Sequence, residues 1–520
     1  MKKRILSTII ATLMLLAVTL PAAAASGEVN VFSLAIAAPE SNSIPISNGE
    51  QLRRIGRTGD LPATANYHLT ADIHLADGAW TPIRNFSGIF DGQGYIIRNL
   101  TVVETRASGG MFETLSSAAV VRNLGLEDVS ININGYGDLS IDTDASGATV
   151  GGITGYGGSV INSYVTGVVS VTTTGNTDSS VHAYAGGISG GNSNVSNSFS
   201  MAAVSATANL EGRSASGNDA EAYEGGIVGY NAAGFTVENS HGAGTVAASS
   251  RNTSGSRFSS YAGGICGYGE DGAVFRNTFW NIDSNQTVNG VPLTNDAKKG
   301  LAHGTGDVTE LTDTQMRTQS SFTEFNFNSV WAVMPGVNNG FPGLRAFGAF
   351  PSTWAEADII RAAELGLVPE TLQSRYRDAT TRAEFAALAV ALYETVTRRE
   401  IEIGDNPFTD TRDVNAIKAA EIRVTSGTGD GTTFSPDAPL TREQAATMLS
   451  RLATAVARPL RAQAPDFADS ARISAYAIEA IGQMQATGIM RGDGERFNPQ
   501  DPYTREQSIM TILRLYDAVR

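Results

Sequence analysis

A pair of glycines followed by an apolar residue recurs five times in the first two thirds of the chain. The pairs begin at intervals of 42, 35, 39 and 38 residues, at Gly109, Gly151, Gly186, Gly225 and Gly263. Each pair is followed, 11 to 14 residues on, by an asparagine: Asn123, Asn162, Asn197, Asn239 and Asn277. Units that stay in phase over this length indicate a repeat architecture, in which each unit buries its apolar face against its neighbours.

Within each unit, apolar and polar residues alternate, as they do over residues 168–173 and 181–185. This alternation is typical of strands with one buried face. The glycines fit sharp turns or close contacts between coils, and stacked asparagines can bond to the backbone and to each other. We therefore predict a mainly β region over residues 46–345, folded as a right-handed parallel β-helix. A β-propeller has a similar repeat length and remains the alternative.

The residues around the repeats suggest how the stack ends. Residues 46–52 are predicted to begin a capped helix that covers the first coil, and residues 326–331 and 338–344 are predicted to form the closing coil. The segments 174–180, 212–219 and 249–256 are rich in Gly, Ser and Asn and are predicted to be protruding loops. Loops on a rigid scaffold are common binding sites, but these ones lack aromatic residues.

The repeats resemble a known family. The Gly-Gly-Ile-x-Gly units, preceded by Phe90-Asp91-Gly92-Gln93-Gly94, are similar to the GLUG-motif repeats of large secreted bacterial proteins. This resemblance covers residues 46–345 and implies an architecture. It does not imply an activity, since such repeats occur in adhesins and beside various enzymes.

The N-terminus has the pattern of a secretory signal. Met1-Lys2-Lys3-Arg4 precedes an apolar run over residues 5–20 and an Ala-x-Ala site that would be cut after Ala25. We predict a signal peptide at 1–25 and a linker at 26–45, with an uncleaved membrane anchor as the alternative. No later stretch is apolar enough to predict a transmembrane span.

Charge and cysteine content exclude several classes of partner and cofactor. The net charge of −15 becomes −18 once two lysines and one arginine leave with the signal peptide, which disfavours binding to nucleic acid or anionic lipid. Cys266 is the only cysteine, so no intrachain disulfide can form. With five histidines and one cysteine, a structural zinc site is not expected, and we predict no metal and no cofactor.

After about residue 350 the composition becomes typical of helices, and residues 346–353 are predicted to be a linker. Residues 354–520 are predicted to form a separate all-α domain of three units, at about 351–400, 405–458 and 465–520. Units two and three each contain a Phe-x-Asp start, a Gly-Asp-Gly loop around Asp430 or Asp493, and a Thr-Arg-Glu-Gln motif. Unit one keeps Trp354 and a Thr-Arg-Ala-Glu motif but lacks the other two features.

This order of motifs resembles S-layer homology (SLH) domains. The resemblance implies a three-pronged helical bundle that binds a secondary cell-wall polysaccharide. It also implies an aromatic residue early in the first helix of a unit, which is Trp354 in unit one and Tyr476 in unit three. Unit two has no equivalent, which places a full set of three binding grooves in doubt.

The Thr-Arg motif has a structural explanation for all but its arginine. A threonine followed three residues later by Glu or Gln forms a capping box, which predicts helix starts at Thr381 with Glu384, Thr441 with Gln444 and Thr504 with Gln507. The arginine then lies in the first helical turn, where the helix dipole disfavours a cation by roughly 0.3–1 kcal/mol. Three arginines share this position: Arg382, Arg442 and Arg505.

Two explanations for these arginines remain open. They contact an anionic ligand, helped by the amide donors of the helix N-terminus, or they form salt bridges between units, for instance to Asp410 or Asp469. On the first explanation, the candidate polymer-binding residues are Arg382, Arg442, Arg505, Trp354, Tyr476, Asp430 and Asp493. The Gly-Asp-Gly loops lack the oxygen ligands of a calcium loop and are predicted to be tight turns.

No catalytic constellation is found. His-Glu-x-x-His is absent, and the Gly-x-Ser-x-Gly match at residues 187–191 belongs to a repeat with no following helix. We predict a non-enzymatic bacterial surface protein, held on an anionic wall polysaccharide and displaying a β-helical adhesin or structural region. The repeats would contact an extracellular glycan or protein. The alternatives are a wall-anchored β-helical lyase or glycosidase, and a structural S-layer subunit.

Overall fold

The computed structural model describes residues 38–75, 78–105, 107–136, 140–142, 145–175, 180–211, 218–253 and 257–520. The predicted signal peptide and most of the predicted N-terminal linker lie outside these residues, so export remains a prediction. The tips of the three predicted loops, at 176–179, 212–217 and 254–256, also lie outside them.

Three sheets stack into a β-solenoid. The first sheet contains the strands Ile44–Ile46, Tyr67–Leu69, Ile73–His74, Ile89–Asp91, Ile96–Arg98, Thr101–Thr105, Val120–Arg122, Gly125–Tyr136, Ser159–Ile161, Tyr164–Gly175, Asn194–Ser196, Phe199–Ser200, Ala203–Leu210, Thr236–Gly242, Val246–Asn252, Val274–Asn281, Gln286–Val288, Val291–Pro292 and Val308–Leu311. The second contains Ser108–Gly109, Ser140–Asp142, Ala145–Gly151, Ser180–Gly186, Ala220–Gly225 and Phe258–Gly263. The third contains Phe112–Thr114, Thr154–Tyr156, Ser189–Gly191, Val228–Asn231, Cys266–Gly269 and Leu301–His303.

Each repeat of the sequence is one coil, and successive coils pair in parallel. Residues 180–186, for example, pair in register with 145–151 on one side and, from 181 onward, with 220–225 on the other. This parallel stacking confirms the β-helix and excludes the β-propeller, whose blades are antiparallel sheets. The repeated coils number about five, over residues 108–303.

The glycine pairs and the asparagines mark the corners of the coils. A Cβ added at Gly187 would lie 2.2 Å from the carbonyl oxygen of Gly226, so only glycine fits where coils touch. The five asparagines all have φ between 46° and 55°. Two neighbouring pairs of side chains bond to each other, Asn277 to Asn239 at 2.7 Å and Asn162 to Asn123 at 3.4 Å. The predicted bonding between stacked asparagines is therefore present at two of the four steps between described coils.

The first end of the solenoid is covered as predicted, but the other end is not. Helix α1, Gly49–Arg54, is capped by the side chain of Asn48 and buries Leu52 in the solenoid core. At the far end, the strands Leu301–His303 and Val308–Leu311 complete the stack. The prediction that residues 326–331 and 338–344 close it is wrong, because these residues pack along its side.

Residues 312–347, which we call the lateral segment, run across the flank of several coils. The segment contains helix α2, Asp313–Met316, and the antiparallel pair Trp331–Ala332 and Gly343–Leu344. It covers an aromatic column that places one ring on each of four coils, Tyr164, Phe199, His241 and Phe279. Its own residues in this apolar cluster include Phe322, Phe325, Trp331 and Phe341.

The helical region contains six further helices: α3 Thr353–Glu364, α4 Arg382–Thr397, α5 Val414–Glu421, α6 Arg442–Ala455, α7 Ile478–Thr487 and α8 Arg505–Val519. Helix α4 packs on α5, α6 on α7, and α8 on α3. The second helix of each unit therefore packs on the first helix of the next, and unit three closes the ring on unit one. Three prongs result, as the SLH resemblance implies.

The predicted linker at 346–353 is not a free connection. The ring of Phe347 lies 4.7 Å from that of Tyr164 on the solenoid, and Phe350 is buried in the helical core. Met334 and Val337 of the lateral segment belong to the same helical core. These apolar side chains hold the segment down, so the helical units and the lateral segment pack as one body.

Candidate functional site

The three helical units meet in a ring of backbone hydrogen bonds. The amide of Thr380 donates to the carbonyl of Tyr503 at 2.7 Å, and the amide of Leu440 donates to the carbonyl of Thr380 at 2.8 Å. The amide of Tyr503 donates to the carbonyl of Leu440 at 3.0 Å, which completes the ring. Because each of these residues precedes a helix-capping threonine, the ring gathers three helix starts around one point.

All three predicted capping boxes are present. The side chains of Thr381, Thr441 and Thr504 accept from the third helical amide, and the side chains of Glu384, Gln444 and Gln507 bond back to the threonine amides. The same boxes form with Glu and with Gln, because either side chain supplies an oxygen acceptor.

The first amides of these helices are already bonded across units. The amides of Arg382 and Ala383 donate to the carbonyls of Ala438 and Pro436 in unit two, at 3.1 and 3.0 Å. Helices α6 and α8 are bonded in the same way, to units three and one. The expectation that the helix N-termini supply donors to an anionic ligand is therefore wrong for these amides.

Two of the three arginines keep their terminal nitrogens free. Arg382 donates from Nε to the carbonyl of Phe434 at 2.7 Å, and its guanidinium lies 5.0 Å over the Phe434 ring. Arg442 repeats this arrangement with Phe497, at 2.8 and 5.0 Å. Within the described residues, the Nη atoms of both arginines have no hydrogen-bond or ion-pair partner.

Arg505 is different, because its terminal nitrogens are both bonded. One donates to the carbonyl of Ser374, and the other pairs with the carboxylate of Glu384. The salt-bridge explanation therefore holds for Arg505, although its partner is neither Asp410 nor Asp469. Those carboxylates accept backbone amides instead, and the amide bond from Phe434 is the main cause of the lowered pKa of Asp410.

The first groove contains Arg382, Glu443 and Tyr476, one residue from each unit. Glu443 accepts from the amide and hydroxyl of Ser474 at 3.0 and 2.8 Å and from the Tyr476 hydroxyl at 2.9 Å. Burial opposes the ionisation of Glu443, but these bonds outweigh it and lower the pKa. Tyr476 is 57% exposed, and it interacts electrostatically with the buried Arg382.

At the second groove the equivalent residues of the units are Arg442, Glu506 and Trp354. Glu506 accepts from the amide and hydroxyl of Ser352 at 2.8 and 3.0 Å. Here burial prevails and raises the pKa of Glu506. Trp354 is 45% exposed at the start of α3. The sequence predicted Trp354 and Tyr476 but missed Glu443 and Glu506, although both directly follow the motif arginine.

The third groove lacks these groups. The position of the carboxylate is Ala383, and the position of the aromatic ring is Asn415. Its arginine is Arg505, whose terminal nitrogens are already bonded. Two grooves therefore combine an unpaired guanidinium, a buried carboxyl group and an exposed ring, and the third has none of these.

Asp430 and Asp493 shape their loops. Asp430 accepts from the amide and hydroxyl of Thr432, and Asp493 accepts from the amides of Glu495 and Arg496. Gly429 and Gly431 have positive φ values, so the predicted tight turns are confirmed. Neither carboxylate bonds to an arginine of the grooves in the part of the chain that the structure describes.

Among the described residues, no group of three or more His, Cys, Asp or Glu side chains is arranged to hold a metal ion. Over the same residues, no helix combines the length and hydropathy that crossing a bilayer requires.

The S-layer homology domain family model matches residues 407–446 and 466–507. Units two and three are SLH domains. Such domains typically bind cell-wall polysaccharide, and they imply a wall-associated protein at the cell surface. Unit one lies outside the match, and it is the unit without the Phe-x-Asp start and the Gly-Asp-Gly loop. The GLUG resemblance of the repeats stays a prediction.

Other comparisons add little. No curated protein matches the chain. A crystal structure described as a "putative immunoglobulin A1 protease" from Bacteroides ovatus aligns with a TM-score of 0.38 and 19% identity. The alignment covers 58% of this chain and 92% of the other. At that TM-score the similarity carries no conclusion about fold or activity.

Proposed function

We propose that this protein is exported and held non-covalently on an anionic wall polysaccharide by the first and second grooves. The solenoid is then displayed outward as a non-catalytic adhesin or structural region. One observation carries the proposal: Arg382 and Arg442 have unpaired terminal nitrogens, whereas both terminal nitrogens of Arg505 are bonded.

The groove chemistry suits a charged sugar chain. A guanidinium with free terminal nitrogens can bind a carboxylate or phosphate through two parallel hydrogen bonds. The exposed rings of Tyr476 and Trp354 offer an apolar surface to the face of a sugar ring. Glu443 is buried, and its bond from the Tyr476 hydroxyl holds that exposed ring in position.

Retention on purified sacculi tests this proposal. The full chain should sediment with sacculi that carry the wall polysaccharide and stay in solution with sacculi stripped of it. The double substitution Trp354→Ala and Tyr476→Ala should abolish retention without unfolding, because both rings are exposed. Tyr95→Ala, at an exposed tyrosine of the solenoid, is the matched control. Retention on stripped sacculi, or retention of the double variant, would contradict the proposal.

A further inference from the structure

A second aromatic surface lies on the outside of the solenoid, remote in sequence from the SLH grooves. In the second sheet, Tyr184, Tyr223 and Tyr261 occupy the same position on consecutive coils. In the third sheet, Tyr230, Tyr268 and His303 do the same. We call this surface the tyrosine face, and it consists of Tyr156, Tyr184, Tyr223, Tyr230, Tyr261, Tyr268 and His303.

The two columns of the tyrosine face interleave into one stack. The ring of Tyr184 lies 5.4 Å from Tyr230 on the next coil, and Tyr223 lies 4.9 Å from Tyr268. Tyr268 in turn stacks on His303 at 4.0 Å. These side chains lie on the outer side of the sheets, because their positions alternate with core positions such as Ala183 and Ala222. Tyr223 is nonetheless buried there, where it stacks on Tyr184 and Tyr268.

Outward positions of a solvated sheet are normally polar, so a run of rings there needs an explanation. Stacking between rings on adjacent coils stabilises the solenoid, and this explains part of the run. Stacking does not explain why carboxylates lie beside the rings. The hydroxyl of Tyr223 donates to Glu221, and the hydroxyl of Tyr230 donates to Glu270. Acidic groups are thus held at the surface of the stack.

The fixed charges of the tyrosine face, those of Glu221 and Glu270, are negative. From residue 145 to 303, the strands of the second and third sheets contain no lysine and no arginine. The first sheet differs, because Arg98, Arg122 and Arg276 there are paired with carboxylates. The carboxylate of Glu221 has one basic neighbour, the imidazole of His182, whose Nε2 lies 3.9 Å away. A surface of aromatic rings and carboxylates without lysine or arginine attracts cations, through the ring electrons and through direct charge.

The spacing of the face favours a sugar chain over a peptide. Successive coils of a parallel β stack lie about 4.8 Å apart, whereas side chains on one face of an extended peptide repeat at about 6.6 Å. A pyranose unit in an extended glycan is close to the coil spacing, so consecutive sugars can meet consecutive coils. A basic peptide would drift out of register within a few residues.

We propose that the tyrosine face binds a glycan with free amino groups along the axis of the solenoid. Sugar rings lie against the exposed parts of the tyrosines, and the ammonium groups pair with Glu221 and Glu270. The site is separate from the SLH grooves, which take an anionic polymer under the proposed function.

The probe is a β-linked glucosamine hexamer, titrated into the purified full chain in slightly acidic buffer without sacculi. We expect saturable binding that Glu221→Gln with Glu270→Gln weakens by about tenfold or more. Tyr268→Ala should weaken it further, and Glu238→Gln on the first sheet is the matched control. Because glutamine keeps an acceptor for the tyrosine hydroxyls, the double glutamine variant decides the question even if Tyr268→Ala destabilises the stack.

Three results would overturn the inference. They are the absence of binding, binding that the double glutamine variant does not change, and equal binding of the N-acetylated hexamer. Tighter binding of oligolysine would assign the face to a basic peptide instead. None of these results bears on sacculus retention, so a failure here is distinguishable from a failure of the proposed wall anchoring.

Discussion

The Nε2 atom of His241 lies 2.8 Å from the carbonyl oxygen of Pro342, and so ties a solenoid coil to the lateral segment 101 residues later. The imidazole is fully buried between Phe199 and Trp331. Burial lowers its pKa from 6.5 to about 4, partly offset by the bond to Pro342. The ring is therefore neutral and donates from Nε2 at ordinary pH.

Acid should weaken the protein through this histidine. The unfolded chain takes up the proton near pH 6.5 and the folded chain only near pH 4, so stability falls between these values, by about 3 kcal/mol in total. His241→Phe should be about 1 kcal/mol less stable than the parent at neutral pH, because it loses a hydrogen bond, but more stable near pH 4. Urea unfolding at both pH values measures this crossover. His74→Gln, at an exposed histidine, should show none.

Glu224 should have the opposite pH dependence. It is 0% exposed, its neighbours in register are Ala185 and Ala262, and neither carboxyl oxygen has a partner among the described residues. Burial raises its pKa well above 4.5, so the folded chain keeps a proton that the unfolded chain releases. Stability is therefore lost as the pH rises above about 4.5.

Replacing Glu224 by an apolar residue should stabilise the solenoid. Glu224→Met should raise the free energy of unfolding by about 1–3 kcal/mol at neutral pH, because no unpartnered carboxyl group is left in the core. It should also reduce the loss of stability as the pH rises. Urea unfolding in mildly acidic and mildly alkaline buffer checks both effects. Glu238→Gln, at the half-buried partner of Arg276, is the control. A less stable Glu224→Met chain would mean that the carboxyl group has a role in the core.

The motif arginines should separate stability from wall retention. Arg505→Met removes an ion pair with the partly buried Glu384 and a bond to Ser374, which should cost about 3 kcal/mol. Arg442→Met removes one side-chain hydrogen bond and the contacts with the rings of Phe497 and Tyr503, which should cost about 1–2 kcal/mol. In thermal unfolding, Arg505→Met should be the less stable variant. In sacculus sedimentation, Arg442→Met should lose more retention than Arg505→Met. Equal loss of stability would contradict the distinction between the grooves.

The asparagine column allows backbone strain and hydrogen bonding to be measured apart. Asn277 has φ of 55° and bonds to Asn239. Asn277→Gly should cost about 1 kcal/mol for the lost bond, and Asn277→Ala about 1 kcal/mol more for the left-handed backbone. Chemical unfolding compares the two variants with Asn132→Ala, an exposed strand position. Equal costs for glycine and alanine would remove the conformational argument.

The repeat period was enough to predict the coils. Glycine pairs and asparagines recur because contacts between adjacent coils exclude a Cβ at one corner and need a left-handed residue at another. Both requirements are local and leave a mark in the sequence. The capping boxes were predictable for the same reason, since Thr381 and Glu384 act within one helical turn.

The lateral segment could not be predicted in this way, because its partners are distant in the chain. One signal was nonetheless present: each aromatic or histidine of the covered column stands two residues after a column asparagine, as Phe199 does after Asn197. The tyrosine face has a similar mark, since Tyr184, Tyr223 and Tyr261 each stand two residues before a glycine pair.

The differences between the grooves depend on how the units close into a ring. Arg505 meets Glu384 only because unit three returns to unit one, and no pattern within a single unit shows this contact. Likewise, Glu443 accepts a hydrogen bond from Ser474, which lies 31 residues away in the following unit. The residue types of the grooves could be read from the sequence. Their hydrogen-bond and ion-pair partners depend on how the three units close into a ring.

The lateral segment also determines how the protein should respond to mechanical load. A tether at the end of a solenoid would let tension peel off one coil after another. Here the segment lies across the coils of Tyr164, Phe199, His241 and Phe279, and its side chains enter the helical core. Tension between the wall and the displayed region therefore acts as shear on four coils at once, so we expect the attachment to yield at a higher force than a terminal tether would.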